Sequence, residues 1–171
     1  MVAVVAAVVV LAMLSTLAIA AMSGGFGAIS CNAPRLAGRI VHVALDDMGG
    51  GMMMGSTPMH ASLRVGTGTV AAGQVSFVVR NRGGLVHEML VLPLPRHGPG
   101  TRPVGSDGKV DEVQILGEAS RSCGAGVGDG LAPGSTGWLT LTLTSGRYEL
   151  ICNQPWHYAA GMFDVLTVQS R

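Results

Sequence analysis

Apolar and polar residues alternate with a period of two over much of the chain beyond residue 38. The clearest run is Trp138-Leu139-Thr140-Leu141-Thr142-Leu143-Thr144, in which the leucines are expected to form a buried face and the threonines a wetter one. Arg147 to Cys152 repeats the pattern, with Tyr148, Leu150 and Cys152 on one side. Val86 to Leu92, stopped by Pro93 and Pro95, sets His87, Met89 and Val91 against Val86, Glu88, Leu90 and Leu92. Shorter apolar or β-branched runs at 40–45, 62–65, 75–79 and 163–168 read as further strands. Turn signals separate them at Ala72-Gly73, Asn81-Arg82-Gly83-Gly84 and Ser145-Gly146. Many short strands with little helix predict an all-β sandwich with Greek-key connections; periodicity alone leaves a β-barrel open. One helical stretch is expected around Val110 to Ala119, and there is no internal repeat.

Three segments break the pattern. Residues 1–22 are apolar except for Ser15 and Thr16, and residues 1–30 carry no charge. As a helix, 22 residues span about 33 Å, enough to cross a bilayer core. Residues 1–30 therefore read as a signal peptide or membrane anchor, one N-terminal hydrophobic helix set apart from the fold. No Lys or Arg precedes Arg35, so charge bias gives no orientation. Residues 31–38, with Pro34 and Gly38, read as a linker, and residues 39–171 as one domain. Within it, the Gly- and Met-rich residues 46–60 form a loop, and the Gly-, Pro- and Ser-rich segment 95–136 is a long excursion from the core.

Formal net charge is +1, and the only lysine is Lys109, so nothing suggests a nucleic-acid partner. Phe77, Trp138 and Tyr148 are too few aromatics between Cys31 and Trp156 for a base-stacking platform. No Ser/His/Asp set, phosphate-binding glycine loop or carboxylate pair stands out, so no catalytic residue is assigned and the chain is not read as an enzyme.

The chemistry lies near the end of the chain. Cys152-Asn153-Gln154-Pro155-Trp156-His157-Tyr158-Ala159-Ala160-Gly161-Met162 reads C-x4-H-x4-M between the last two strands. His87 stands about 65 residues earlier. A thiolate, two imidazoles and a weak thioether make the donor set of a mononuclear copper site. Structural zinc uses Cys and His without Met, haem attachment needs Cys-x-x-Cys-His, and iron–sulfur clusters need more cysteines.

This loop, preceded by Gly146 to Ile151, resembles the C-terminal copper loop of cupredoxins, the plastocyanin and azurin superfamily. Its spacing resembles that of rusticyanin and sulfocyanin. Val79 to Glu88 is similar to the family's upstream ligand region. The resemblance covers roughly residues 39–171. It implies one type 1 copper ion held by His87, Cys152 and His157 in the equatorial plane and by Met162 axially. It also implies an electron-transfer role, with the His157 edge as the electron door. Asn81 would brace the loops around the ligands; otherwise it is a plain turn residue. The 95–136 insertion has no counterpart in the smallest family members, and Trp156 is bulky for its place beside a ligand.

Cys31 follows small and apolar residues, as at a lipoprotein cleavage site, so it is a candidate for lipidation or for pairing with Cys123. Residues 48–60 hold Met48, Met52, Met53, Met54 and Met59 with His60. They read as a flexible loop with an apolar tip, or as a Cu(I)-acquisition loop. His42, His60 and His97 read as ordinary surface or loop histidines. The expectation is a monomeric electron carrier outside the cytoplasm, periplasmic or at the cell surface, membrane-anchored or secreted. Its partners would be redox donors and acceptors such as cytochromes or a terminal oxidase. A copper chaperone or resistance protein is the alternative, and a catalytic copper protein a third.

Overall fold

The structure is a computed structural model that describes residues 31–47 and 61–170. The expectations for residues 1–30 and for the Met-rich residues 48–60 lie outside the described residues. Those described form nine strands: β1 (Arg39–Asp47), β2 (Ala61–Val65), β3 (Thr69–Ala71), β4 (Gly73–Asn81), β5 (Met89–Pro93), β6 (Gly117–Ala119), β7 (Thr136–Leu143), β8 (Gly146–Ile151) and β9 (Phe163–Gln169). They make two sheets, ordered β2-β1-β4-β7 and β3-β9-β8-β5-β6. β1 runs parallel to β4, and β3 parallel to β9; the other pairs are antiparallel. The result is an all-β sandwich of two sheets.

Alternation sets which side chains meet between the sheets. Val41, Val43 and Leu45 of β1 and Val75, Phe77 and Val79 of β4 point inward and are buried. From the other sheet come Met89, Val91, Tyr148, Leu150, Leu166 and Val168. Leu143 is buried as expected, but Leu139 and Leu141 are only partly so, because β7 is the edge of its sheet. They lie against Gly117, where an added Cβ would come within 3.0 Å of the Leu141 Cδ2.

The second sheet is covered on both faces. Leu90, Leu92 and Ile151 point away from the sandwich core and pack with Val110, Tyr158, Val104, Ile115 and Phe163. The 95–136 segment therefore builds a second small core over the outer face of β5 and β8. The helix expected at Val110 to Ala119 is absent. Val110 bridges to Val104, the Leu116 amide donates to the Val91 carbonyl (2.8 Å), and Gly117–Ala119 adds to β5 as β6. Spacing could not give one apolar helical face here: Val110 is buried while Val113 is 87 % exposed.

This segment is tied down by a buried ion pair. Glu149, on the outer face of β8, accepts from Arg102 Nε at 2.7 Å, from the Gly100 amide at 2.7 Å and from the Tyr158 hydroxyl at 3.1 Å. A buried carboxylate is tolerable only when its lone pairs are filled in this way.

Residues 31–38 are not a free linker. Cys31 forms a disulfide with Cys123, their Cα atoms 5.5 Å apart, and the Ala37 carbonyl accepts a 2.6 Å bond from the buried Ser76 hydroxyl. The sulfur that lipidation of Cys31 would use is in that disulfide.

Candidate metal centre

The expected ligands meet at one end of the sandwich. Cys152 follows β8, which carries it inward as the next residue of the Tyr148, Leu150 face. The chain then turns back to β9. The Cys152 amide donates to the Met162 carbonyl (3.0 Å) and the Met162 amide to the His157 carbonyl (3.1 Å), so the loop is closed on itself. Within it, Trp156 has a left-handed backbone, φ 68°, which is uncommon for a bulky residue. The Trp156 amide is held by the Gly108 carbonyl at 2.8 Å.

The strand expected from Val86 begins only at Met89. His87 is instead held by a bridge to Leu131: its amide donates to the Leu131 carbonyl at 3.2 Å, and its carbonyl accepts from the Leu131 amide at 2.6 Å. His87 is thus positioned by the far end of the 95–136 segment.

His87 Nδ1 lies 3.1 Å from His157 Nδ1, and Cys152 Sγ lies 3.8 Å from the first and 3.4 Å from the second. Sulfur and both nitrogens fall within 4.8 Å of one another, and all three residues are buried. Met162 is fully buried in the same apolar cluster as Cys152.

The protonation states suit a metal. Burial, then the neighbouring His87, lowers the His157 pKa, and Asp47 only partly opposes them, so the imidazole favours its neutral, ligating form. Burial pushes the Cys152 thiol up to about 12, against hydrogen bonds from the Glu88 and Gln154 amides. A thiol buried this way ionises only when a cation replaces its proton. Two imidazole nitrogens facing each other beside a thiol are a converging donor set, and its softness fits copper better than zinc.

Sequence reasoning missed Asp47. It ends β1 half-buried, but its side chain is only 2 % exposed, and its Oδ2 lies 2.7 Å from His87 Nε2. It also accepts from the Gly84 amide (3.0 Å) and the Leu85 amide (3.0 Å). Burial raises its pKa, but the Leu85 and Gly84 amides and His87 outweigh that and hold it below the ordinary carboxylate value. The carboxylate fixes the tautomer of His87 with the proton on Nε2, which frees Nδ1. Gly83 is required beside it, because an added Cβ would lie 1.9 Å from Asp47 Oδ2. The available signal was an acidic residue ending a strand, hidden because it opens the Gly- and Met-rich loop.

Asn81 has the bracing role. Fully buried, it donates to the Leu85 and Leu131 carbonyls, both at 2.7 Å, and accepts from the Gly83 amide at 2.9 Å. Asn153 does the same beside Cys152: it accepts from the Val110 amide at 2.7 Å and donates to the Val110 carbonyl at 3.0 Å. His157 is only 6 % exposed, while Trp156 beside it is 55 % exposed.

No protein-family model and no curated protein matches the sequence. Among solved structures the chain is similar to a dithionite-reduced auracyanin from the photosynthetic bacterium Roseiflexus castenholzii. That match has 19 % identity and a TM-score of 0.49, covering 77 % of this chain and 96 % of the other. It is also similar to rusticyanin from Thiobacillus ferrooxidans, with 22 % identity and a TM-score of 0.47, covering 78 % of this chain and 79 % of the other.

Proposed function

We propose that the protein is a mononuclear blue-copper electron carrier. The supporting observation is the buried convergence of Cys152 Sγ with the facing Nδ1 atoms of His87 and His157, with Met162 buried in the same cluster as Cys152. Copper bound there would supply one-electron exchange between its two oxidation states. The chain's part is to hold the donors still. His87 is fixed through Leu131 and Asp47, Cys152 through its β8 register, and the 152–162 loop through Gly108 and Asn153. A frame braced from both sides lets the two oxidation states share one geometry, so little rearrangement accompanies transfer. The buried apolar surround excludes water from the sulfur and helps to set the potential.

In this reading the protein is not an enzyme. It passes single electrons between redox proteins such as cytochromes or a terminal oxidase, as a monomer outside the cytoplasm. Electrons would enter and leave at the His157 edge, beside the exposed Trp156 ring.

The test is visible absorption and electron spin resonance of the full chain loaded with Cu(II), beside Cys152→Ser. Intense blue absorption with narrow copper hyperfine splitting, lost in the variant, is expected. A colourless protein that binds only Cu(I), with the variant behaving alike, overturns the reading in favour of copper handling.

A further inference from the structure

The outer face of the β2-β1-β4-β7 sheet carries a groove of about 470 Å³ lined by Cys31, Asn32, His42, Arg64, Arg80 and Arg82, among others. No acidic side chain lines it. Its floor is Ala44, whose neighbours across the sheet are Arg64 on β2 and Arg80 on β4. Neighbouring strands lie about 4.8 Å apart, so the two arginines rise from backbones roughly 10 Å apart, on either side of a small residue.

The ion pairs among the described residues are His87–Asp47 and Arg102–Glu149, and neither involves these arginines. Asp46, two positions beyond Ala44 on the same face, does not line the groove. Residues 1–30 and 48–60 contain no acidic side chain, so neither segment can supply an ion-pair partner. Arg64, Arg80 and Arg82 are exposed, so the groove is open to an anion from outside.

We propose that this groove seats the phosphate of an anionic phospholipid headgroup. Guanidinium groups match phosphate oxygens with paired hydrogen bonds. The location selects the lipid source. Cys31, the first described residue, lines the groove, and residues 1–22 are long and apolar enough to cross a bilayer. Residues 23–30 can extend at most about 28 Å, so a bilayer holding the apolar segment lies within reach of Arg64 and Arg80. The proposal rests on the membrane-anchor reading of residues 1–30 and is independent of copper.

The full chain in zwitterionic micelles would be titrated in separate arms with dihexanoyl-phosphatidylglycerol, dihexanoyl-phosphatidylcholine and inorganic phosphate. The arginine Nε–H resonances are followed by NMR. A saturable shift with phosphatidylglycerol is expected, much weaker in the other two arms. A basic residue near an anionic membrane contributes about fivefold in affinity, so the Arg64→Gln/Arg80→Gln variant should bind about 25-fold more weakly, with unchanged circular dichroism. An equal response to inorganic phosphate or phosphatidylcholine overturns the anionic-lipid assignment. A response that is absent, or the same in the double variant, overturns the groove itself. Flotation of the full chain with pure phosphatidylcholine vesicles tests the anchor separately; failure to float removes the lipid as the source.

Discussion

Replacing Asp47 by Asn tests whether the carboxylate behind His87 tunes the site. The substitution keeps the size of the side chain and an oxygen able to accept from His87 Nε2, now 2.7 Å away, but removes the charge. A hydrogen bond to a charged group contributes about 1.5–3 kcal/mol, against about 1 kcal/mol for a neutral one. The carboxylate's excess is therefore about 0.5–2 kcal/mol. A negative charge behind the imidazole favours the more positive, oxidised metal. If the excess is felt wholly in that state, its loss raises the one-electron midpoint potential by about 20–85 mV, since a tenfold change in equilibrium is about 59 mV. The assay is spectroelectrochemical titration of the copper-loaded protein. With its oxygen kept toward His87, the variant also sets an amide N–H against the Gly84 amide, which donates to Oδ1 of Asp47, so a lower thermal midpoint is expected as well. A variant that keeps its blue band with an unchanged or lower potential refutes the reasoning.

Two other substitutions probe the frame. Glu149→Gln leaves Arg102 without its buried partner and should cost about 3–5 kcal/mol in chemical denaturation; a loss under about 1 kcal/mol would mean that the pair is screened by water. Glu88 is buried, its Oε1 has no hydrogen-bond partner among the described residues, and burial raises its pKa despite the Lys109 charge. A raised carboxyl favours folding while it stays protonated, and that contribution is lost as pH rises from the ordinary glutamate range through the folded value. Glu88→Gln should therefore raise the thermal midpoint of the metal-free protein at pH 8 and flatten its decline from pH 5; an unchanged slope would place the titration elsewhere.

The parts of this structure legible in the sequence are those set by local period. Leu143 of β7, the inward face of β8 and the C-x4-H-x4-M loop follow from alternation and from ligand spacing. Alternation likewise divided Leu90 and Leu92 from Met89 and Val91. It could not say that the first pair would also be buried, because their cover comes from Val104, Val110 and Ile115 together with Tyr158 and Phe163. The same long-range cause explains the failed helix: Leu116 and Gly117 pair with β5, and edge pairing overrides local preference. Asp47 was unreadable for a similar reason. Its role depends on the parallel register of β1 with β4, which sets Leu45 against Asn81 and so carries the next residue toward His87.

The Cys31–Cys123 disulfide has a geometric consequence for any tethered form. The Cys123 amide donates to the Thr136 carbonyl at the start of β7, and Thr136 pairs with Arg80, next to Asn81 and its bonds to the loop that holds His87. The crosslink therefore fixes the leash to the pole of the sandwich that carries the donor cluster. A domain leashed at that pole searches a small cap of space above its attachment point. For a partner fixed in the same cap, encounter becomes an intramolecular event whose frequency is set by leash length rather than by bulk concentration. Reduction of the crosslink would free the strap at 31–38 and lengthen the leash, so the encounter rate would fall while the donor cluster itself stayed intact.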